Sequence, residues 1–221
     1  MPAIIEMRLK ATWTVRPDTG QLHGLACALF ESSDTEHEGQ HKPRAVWPLR
    51  PGASPQEWAW RAAWLPDTIP PAGALSVDVL RVGHVSCTVT ESRHRRASHA
   101  ALAGGPPLTQ ALVTFASPVY FAQNGTDTAA PDPRLIAGSW RRRWNASLPD
   151  SDPLAVSDAE GTLLSRLLSL GAFDLRTERR DNGHGRDRKA FGALARFAGY
   201  CGTGAQTTHG FGATTVTSAD A

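Results

Sequence analysis

Apolar and polar residues alternate near the N-terminus of the chain. The apolar set occupies every second position, at Ile5, Met7, Leu9, Ala11, Trp13 and Val15. This period of two predicts a β-strand with one buried face and one solvated face. The solvated face would carry Arg8 and Lys10.

A helix and further strands are predicted next. Asp18 or Thr19 is a suitable N-terminal cap for a helix whose apolar stripe is Leu22, Leu25, Leu29 and Phe30. The polar segment that follows, from Ser32 to Lys42, has no periodicity, which is typical of a loop. Strands are then expected within residues 44–50, 58–64 and 85–89, with a brief helix near residues 69–78. The order strand, helix, strand, strand, short helix, strand is that of the ferredoxin-like fold.

The second half of the chain has its own series of elements. It opens with the strand-like run QALVTFASPVYF, and Asp132-Pro133 then predicts the start of a helix that carries Ile136, Trp140 and Trp144. Further elements are predicted as helices at 158–170 and 189–200 and as strands at 172–179 and 211–217. Residues 180–190 contain no convincing strand, so the sequence leaves open whether the second sheet has all its strands.

Together these patterns predict an α+β protein of two tandem ferredoxin-like (RRM-like) βαββαβ domains, with antiparallel sheets and helices on one face. Residues 91–108 are basic at first, then small, then rich in Gly and Pro, which is typical of a connection. The predicted division is therefore a first domain at residues 1–92, a linker at 93–108, and a second domain at 109–221.

Composition limits the classes of function. With 41% hydrophobic and 20% charged residues among 221, the chain is typical of a soluble globular protein with a buried core. A net charge of only +2 means that any nucleic-acid surface must be local. The three cysteines are far apart and are expected to be reduced thiols. Without a signal peptide or an apolar span, a cytoplasmic location and no membrane partner are expected.

The most distinctive motif is a glycine-rich segment near the C-terminus. Gly202-Thr203-Gly204 and Gly210-Phe211-Gly212 are separated by five small or polar residues. Glycine permits positive φ and a close approach of the backbone, so N–H groups of such a segment can face phosphates. An ordinary turn is the alternative. The context excludes a dinucleotide-binding fingerprint and a P-loop.

The run LARFAGYCGTGAQTTHGFG, from Leu194 to Gly212, is similar to the C-terminal signature of the CRISPR pre-crRNA endonucleases, the Cas-six type of the RAMP superfamily. Residues 112–144 resemble the opening of the family's second domain. Residues 21–25, with His37 and Lys42-Pro43, resemble its first helix and the following loop. The resemblance implies two ferredoxin-like domains, cleavage of CRISPR repeat transcripts into guide crRNAs, and contact between the glycine-rich loop and RNA.

RNA supplies its own nucleophile in such a reaction. A general base takes the proton of the 2′-OH, which attacks the phosphorus and leaves a 2′,3′-cyclic phosphate and a 5′-OH, so no metal or cofactor is required. Histidine suits the role of base. The candidates are His37, where the resemblance places a catalytic histidine, and His23, where a branch of the family keeps its base. Lys42 could neutralise the phosphate. A solvated loop residue and a helix-packing residue remain the alternatives for the two histidines.

Basic clusters and the glycine-rich segment make up the predicted RNA surface. Its residues are Arg141, Arg142, Arg179, Arg180, Arg186, Arg188, Lys189, Gly202, Gly204, Gln206, Thr207, Thr208, His209, Gly210 and Gly212. A helix with arginine at positions 141–143 cannot aim all three the same way, so part of that cluster is expected to be structural. The expected partners are CRISPR repeat RNA or crRNA and other effector subunits, with a monomer or homodimer as the state of the chain.

Two other functions remain open. The first is a non-catalytic crRNA-binding RAMP subunit of an effector complex. The second, more remote, is a zinc protease, because His37-Glu38-Gly39-Gln40-His41 matches His-Glu-x-x-His. That motif requires a helix, and Gly39 costs a helix about 1 kcal/mol relative to Ala. The motif is therefore interpreted as a chance match.

Overall fold

The computed structural model describes residues 1–13, 19–31, 42–123, 126–128, 132–170, 176–179 and 185–218. The first half contains β1 (Ala3–Ala11), α1 (Thr19–Phe30), β2 (Arg44–Val46), β3 (Arg50–Pro51), β4 (Glu57–Trp64), α2 (Ala72–Leu75), β5 (Val79–Val82) and β6 (Val85–Arg96). The antiparallel sheet has the order β2-β4-β1-β6-β5, with β3 beside β4. This is the predicted ferredoxin-like arrangement, to which β3 and β5 add two strands that were not predicted.

The alternating residues of β1 decide which face of this sheet is covered. Met7 and Leu9 point to one side, where they pack with Leu22 and Leu25 of α1 and with Trp60 of β4. The opposite side carries Arg8 and Lys10, both exposed. The predicted orientation of β1 and the predicted helix over Leu22–Phe30 are therefore confirmed.

The ends of two strands in the first half differ from the prediction. Strand β1 pairs with its neighbours only as far as Ala11, so Trp13 lies beyond the sheet and is 74% exposed rather than buried. Strand β6 is longer than expected. Residues 93–96, assigned from composition to the linker, continue it because they pair with β1 from Ala3 to Glu6.

The second half contains α3 (His99–Ala103), β7 (Gln110–Phe115), β8 (Phe121–Gln123), β9 (Thr126–Thr128), α4 (Pro133–Ala146), α5 (Asp158–Leu167), β10 (Leu168–Leu170), β11 (Arg176–Arg179), α6 (Gly185–Cys201), a 3₁₀ turn (Thr207–His209) and β12 (Thr214–Ser218). Its main sheet is four-stranded, in the order β10-β11-β7-β12. The sheet is complete because the predicted helix at 158–170 ends at Leu167 and the next three residues form a strand.

The predicted start of the tryptophan-bearing helix is confirmed. Asp132 caps α4 by accepting a hydrogen bond of 2.8 Å from the N–H of Arg134, and Pro133 occupies the first turn. Trp140 and Trp144 of α4 are buried against α6. None of the described helices combines the length and the hydropathy that a bilayer-spanning segment needs.

The two domains share a core. Ile4, Ala45, Trp47 and Ala63 on the second face of the first sheet belong to the same apolar cluster as the buried residues of α4 and α6. Arg143 of α4 donates a hydrogen bond of 2.7 Å to the carbonyl of Arg44 in β2. Through this junction the 3₁₀ turn contacts both α1 and β2.

Candidate active site

The glycine-rich segment owes its path to left-handed backbone conformations. Gly202, Gly204, Gly210 and Gly212 have φ of 70°, 83°, 91° and 62°. A side chain at Gly212 would collide with the carbonyl oxygen of Thr203, and one at Gly204 would collide with that of Tyr120. Glycine is therefore required both by φ and by space at these two positions.

The N–H groups of this segment mostly bind the protein itself. Thr203 donates to the carbonyl of Gly212 (2.8 Å), Ala205 donates to that of Tyr120 (2.9 Å), and Gly212 donates to that of Pro118 (2.9 Å). Gly204 donates to the hydroxyl of Ser139 at 2.9 Å. These hydrogen bonds maintain the conformation of the segment. The sequence had instead suggested that its N–H groups would be exposed and would face phosphates. Contact between the segment and RNA stays a prediction.

The 3₁₀ turn is the part of the segment that meets the first domain. Thr207 and Thr208 are buried, His209 is half-buried, and Gln206 before them is exposed. Gly210 lies so close to α1 that an added Cβ would be 3.3 Å from Leu22. The turn is thus docked beside α1, where the sequence places His23.

Two predicted residues meet at this junction. The rings of His23 and His209 are stacked, with centroids 3.9 Å apart and planes inclined by 5°. The Nδ1 atom of His23 lies 3.3 Å from the carbonyl oxygen of Thr208. The structure therefore brings the first-domain candidate base onto the glycine-rich segment.

The contact with Thr208 fits one tautomer of the neutral His23 ring. A carbonyl oxygen only accepts, so Nδ1 donates in that contact and Nε2 is then the nitrogen with the lone pair. Nε2 is 3.5 Å from the Sγ atom of Cys27, which lies one helical turn further along α1. The ring is thus held with its basic nitrogen in a defined place, as a general base requires.

His209 contributes an uncharged ring to this stack. Burial lowers the pKa of His209, and the neighbouring His23 and Arg44 lower it further. At neutral pH His209 is therefore neutral, and it adds no positive charge beside the lone pair of His23.

Lys42 belongs to a buried ion cluster next to this pair. Its Nζ atom lies 3.2 Å from Oε1 of Glu31, and the Nη2 atom of Arg44 lies 2.6 Å from the same oxygen. The Lys42 side chain is only 12% exposed. In this structure its ammonium thus binds a carboxylate, and its predicted contact with a phosphate remains a proposal.

The arginines of α4 point in different directions, as predicted from their succession. Arg141 binds the carbonyl of Ser157 and the carboxylate of Asp158 and so bridges α4 to α5. Arg143 is half-buried and donates to the carbonyl of Arg44 in β2. Arg142 is exposed, as is Lys189 of α6, and their contact with RNA stays a prediction.

Several of the predicted catalytic and RNA-binding residues lie outside the described part of the chain or are described only by their backbone. His37, Glu38, His41 and Arg180 lie outside the described residues, and so does the zinc-protease motif. Arg179, Arg186 and Arg188 are described only as backbone positions in β11 and α6.

Three residues that the sequence pattern did not single out, Cys27, Glu31 and Arg44, connect the candidate base to the ion cluster. The spacing of four between His23 and Cys27 puts both on one side of α1, which was a usable signal. No signal linked Arg44 to the helix, because its contacts with Cys27 and Glu31 form only when β2 packs beside α1.

Residues 113–214 match the family model of the CRISPR-associated endoribonuclease Cas6. The match includes α4, all of α6 and the glycine-rich segment with His209, whereas His23 precedes it. No curated protein matches the chain at a significant level.

Solved Cas6 structures share the fold over nearly the whole chain. The product complex of Cas6 (TTHB231), a Thermus thermophilus protein, has a TM-score of 0.81 at 23% identity and covers 98% of this chain and 100% of its own. The product complex of Cas6 (TTHA0078) has a TM-score of 0.73 at 21% identity, with 98% and 100% covered. A Cas6-related protein from Pyrococcus furiosus has a TM-score of 0.52 at 12% identity, with 98% and 99% covered. Residues 113–214 are therefore similar to the Cas6 family model, and the chain as a whole has the fold of these Cas6 proteins.

Proposed function

We propose that this chain is an endoribonuclease that cuts CRISPR repeat transcripts into guide crRNAs. The observation that carries the proposal is the junction of His23 with the glycine-rich segment, because it joins a positioned base to the part of the chain that matches Cas6. Related solved structures are described as product complexes and a substrate mimic complex, which supports RNA as the ligand.

In the proposed reaction, Nε2 of His23 accepts the proton of the 2′-OH that precedes the scissile phosphate. The 2′-oxygen forms a bond to phosphorus as the bond to the 5′-oxygen breaks. A second group gives a proton to that 5′-oxygen, and His37 is the candidate for it, while Lys42 would neutralise the phosphate. The products are a 2′,3′-cyclic phosphate and a 5′-OH. A base of this kind contributes about 10²–10⁴-fold to the rate.

This chemistry needs no metal, because the RNA supplies the nucleophile and side chains handle the protons. Exposed cations such as Arg142 and Lys189 would bind the phosphates, so binding should weaken as salt is added. Recognition of a folded or flanking single strand through phosphates, sugars and exposed bases fits such a surface.

The proposal is tested by incubating labelled repeat RNA with the protein in excess EDTA. We expect one cut per repeat, a 2′,3′-cyclic phosphate on the upstream product, and no cut when the ribose before that phosphate is 2′-deoxy. Cleavage that requires a divalent metal, or that leaves a 3′-OH, would contradict the mechanism. Tight repeat binding without any cleavage would instead identify a non-catalytic RNA-binding subunit.

A further inference from the structure

Arg44 is a charged residue in the interior of the protein. Its side chain is fully buried, and the Nη2 atom contacts both Oε1 of Glu31 at 2.6 Å and Sγ of Cys27 at 3.1 Å. The Glu31 carboxylate is shared with Lys42, so the cluster of these three charged side chains carries a net charge of +1.

Stability alone does not explain this arginine. Within the described part of the chain, its Nε and Nη1 atoms are buried and have no hydrogen-bond acceptor. Buried donors without acceptors oppose folding, and a buried ion pair is often no better for stability than apolar residues of the same size. An unsatisfied buried group of this kind calls for an explanation other than stability, and a role in catalysis is one such explanation.

The contacts of Arg44 lead directly to the candidate base. A guanidinium has donors only, so Cys27 Sγ accepts from Arg44. The S–H of Cys27 has two acceptors within reach, Nε2 of His23 at 3.5 Å and the carboxylate of Glu31, which Arg44 also binds. Burial raises the pKa of the Cys27 thiol, which keeps the sulfur protonated and able to donate. Thr208 holds the other nitrogen of the ring.

We propose that Arg44 is a positioning residue for RNA cleavage, which acts on His23 through Cys27. The proposal rests on the proposed function. Arg44 holds the Cys27 thiol in place by donating to its sulfur. The thiol in turn contacts Nε2 of His23 and so fixes the direction of the Nε2 lone pair. In the substrate complex, the 2′-OH of the RNA replaces the thiol as the partner of that lone pair. Glu31 neutralises the guanidinium and keeps it in place.

Arg44→Met, Cys27→Ala and the double variant test this chain of contacts. Arg196→Met is the matched control. Arg196, in α6 of the second domain, is a partly buried arginine that donates to the carbonyls of Leu102 and Pro106. Single-turnover cleavage rates, their pH profiles and the Kd for a 2′-deoxy repeat RNA are measured for each variant. The 2′-deoxy RNA separates binding from cleavage.

Each single variant should cleave roughly 10- to 100-fold more slowly with its Kd unchanged, because a misplaced base forfeits part of its contribution. The double variant should be no slower than the slower single variant, since both changes break one pathway. The acid limb of the pH–rate profile should move to higher pH in Arg44→Met, because a buried cation near His23 and His209 has been removed. Arg196→Met should cleave at the wild-type rate.

Wild-type rates in Arg44→Met and Cys27→Ala, or multiplicative losses in the double variant, would overturn the proposal. If Arg44→Met does not fold, Cys27→Ala alone decides by the same criterion. His23→Ala separates the two levels of inference. An inactive His23→Ala beside fully active Arg44→Met and Cys27→Ala removes only the role of Arg44, whereas an active His23→Ala removes the assigned base itself.

Discussion

The imidazole of His23, on the first helix, lies flat against that of His209, in the C-terminal glycine-rich segment, with ring centroids 3.9 Å apart. The carbonyl of Thr208 binds the edge of the same His23 ring. The segment therefore orients a side chain of the other domain. Its glycines shape this support, since the described N–H groups of Gly204 and Gly212 bind protein acceptors.

His209 should matter for cleavage more than for RNA affinity. Removing the stacked ring in His209→Ala frees His23 to rotate, and a loss of roughly tenfold in the single-turnover rate is expected from the misplaced base. His209→Phe keeps a flat ring in the same place and should retain most of the rate. Equal losses in both variants would show that the imidazole of His209 has a chemical role rather than a stacking role.

Gly212 should be irreplaceable for the fold. Alanine there combines a φ of 62° with a collision against Thr203, and left-handed strain of this kind costs about 1–3 kcal/mol before the collision is counted. Urea unfolding measures the loss. Gly199→Ala is the control, because Gly199 lies in α6 with open space around it and should gain up to about 1 kcal/mol of helix stability. Similar effects at the two positions would contradict this account of the segment.

Thr203 should tie the tryptophan-bearing helix to the glycine-rich segment. Its buried hydroxyl accepts a hydrogen bond of 2.6 Å from Nε1 of Trp140. The same hydroxyl lies 2.7 Å from the hydroxyl of Thr214. Thr203→Val keeps the shape but leaves the indole N–H without an acceptor, which costs about 1–3 kcal/mol of unfolding free energy. Thr217→Val, on the exposed side of β12, should be close to neutral. A neutral Thr203→Val would show that the indole finds another partner.

His99 should make the stability of the protein fall in mild acid. Its ring is buried, with Nε2 2.8 Å from Ser147 Oγ, while Nδ1 lies 3.1 Å from Asp67 Oδ2 without the alignment of a hydrogen bond. Burial lowers the pKa of His99, although Asp67 acts in the opposite direction. As the pH falls below about 6.5 the unfolded chain takes up the proton first, so the stability present above that pH is progressively lost.

The measurement for His99 is the unfolding temperature between about pH 7.5 and pH 5.5. The wild type should lose stability across this range, and His99→Gln, which keeps a hydrogen-bonding group but cannot titrate, should lose less. His84→Gln, at an exposed turn, should keep the wild-type slope. An unchanged slope in His99→Gln would mean that other groups, His209 among them, account for the pH dependence.

The local elements of the fold were largely predictable, because they follow from local rules. The alternation of β1, the apolar stripe of α1 and the Asp132-Pro133 cap each predict an element that the structure contains. The failures are positions where pairing overrides composition. Basic residues 93–96 form a strand because β1 offers them partners, and residues 168–170 leave the helical pattern to join a sheet.

The candidate site was predictable only in part. His23 and His209 were singled out separately, one by its helix and one by its motif, but no sequence pattern states that their rings meet. The ion cluster around Arg44 forms where β2 packs beside the C-terminal end of α1 within the first domain, and its members carry no common spacing. The glycine content suggested that the N–H groups of the segment would be exposed to RNA. In the structure, N–H groups of the segment instead donate to the carbonyls of Pro118 and Tyr120 and to the hydroxyl of Ser139.

The most direct test of the account is the single-turnover cleavage of repeat RNA in EDTA by His23→Ala, measured together with its Kd for the 2′-deoxy repeat. His84→Ala serves as the control, and His37→Ala is measured alongside to locate the second proton-transfer group. The account predicts that His23→Ala binds as the wild type does and cleaves at least about 10²-fold more slowly. Wild-type cleavage by His23→Ala would contradict it.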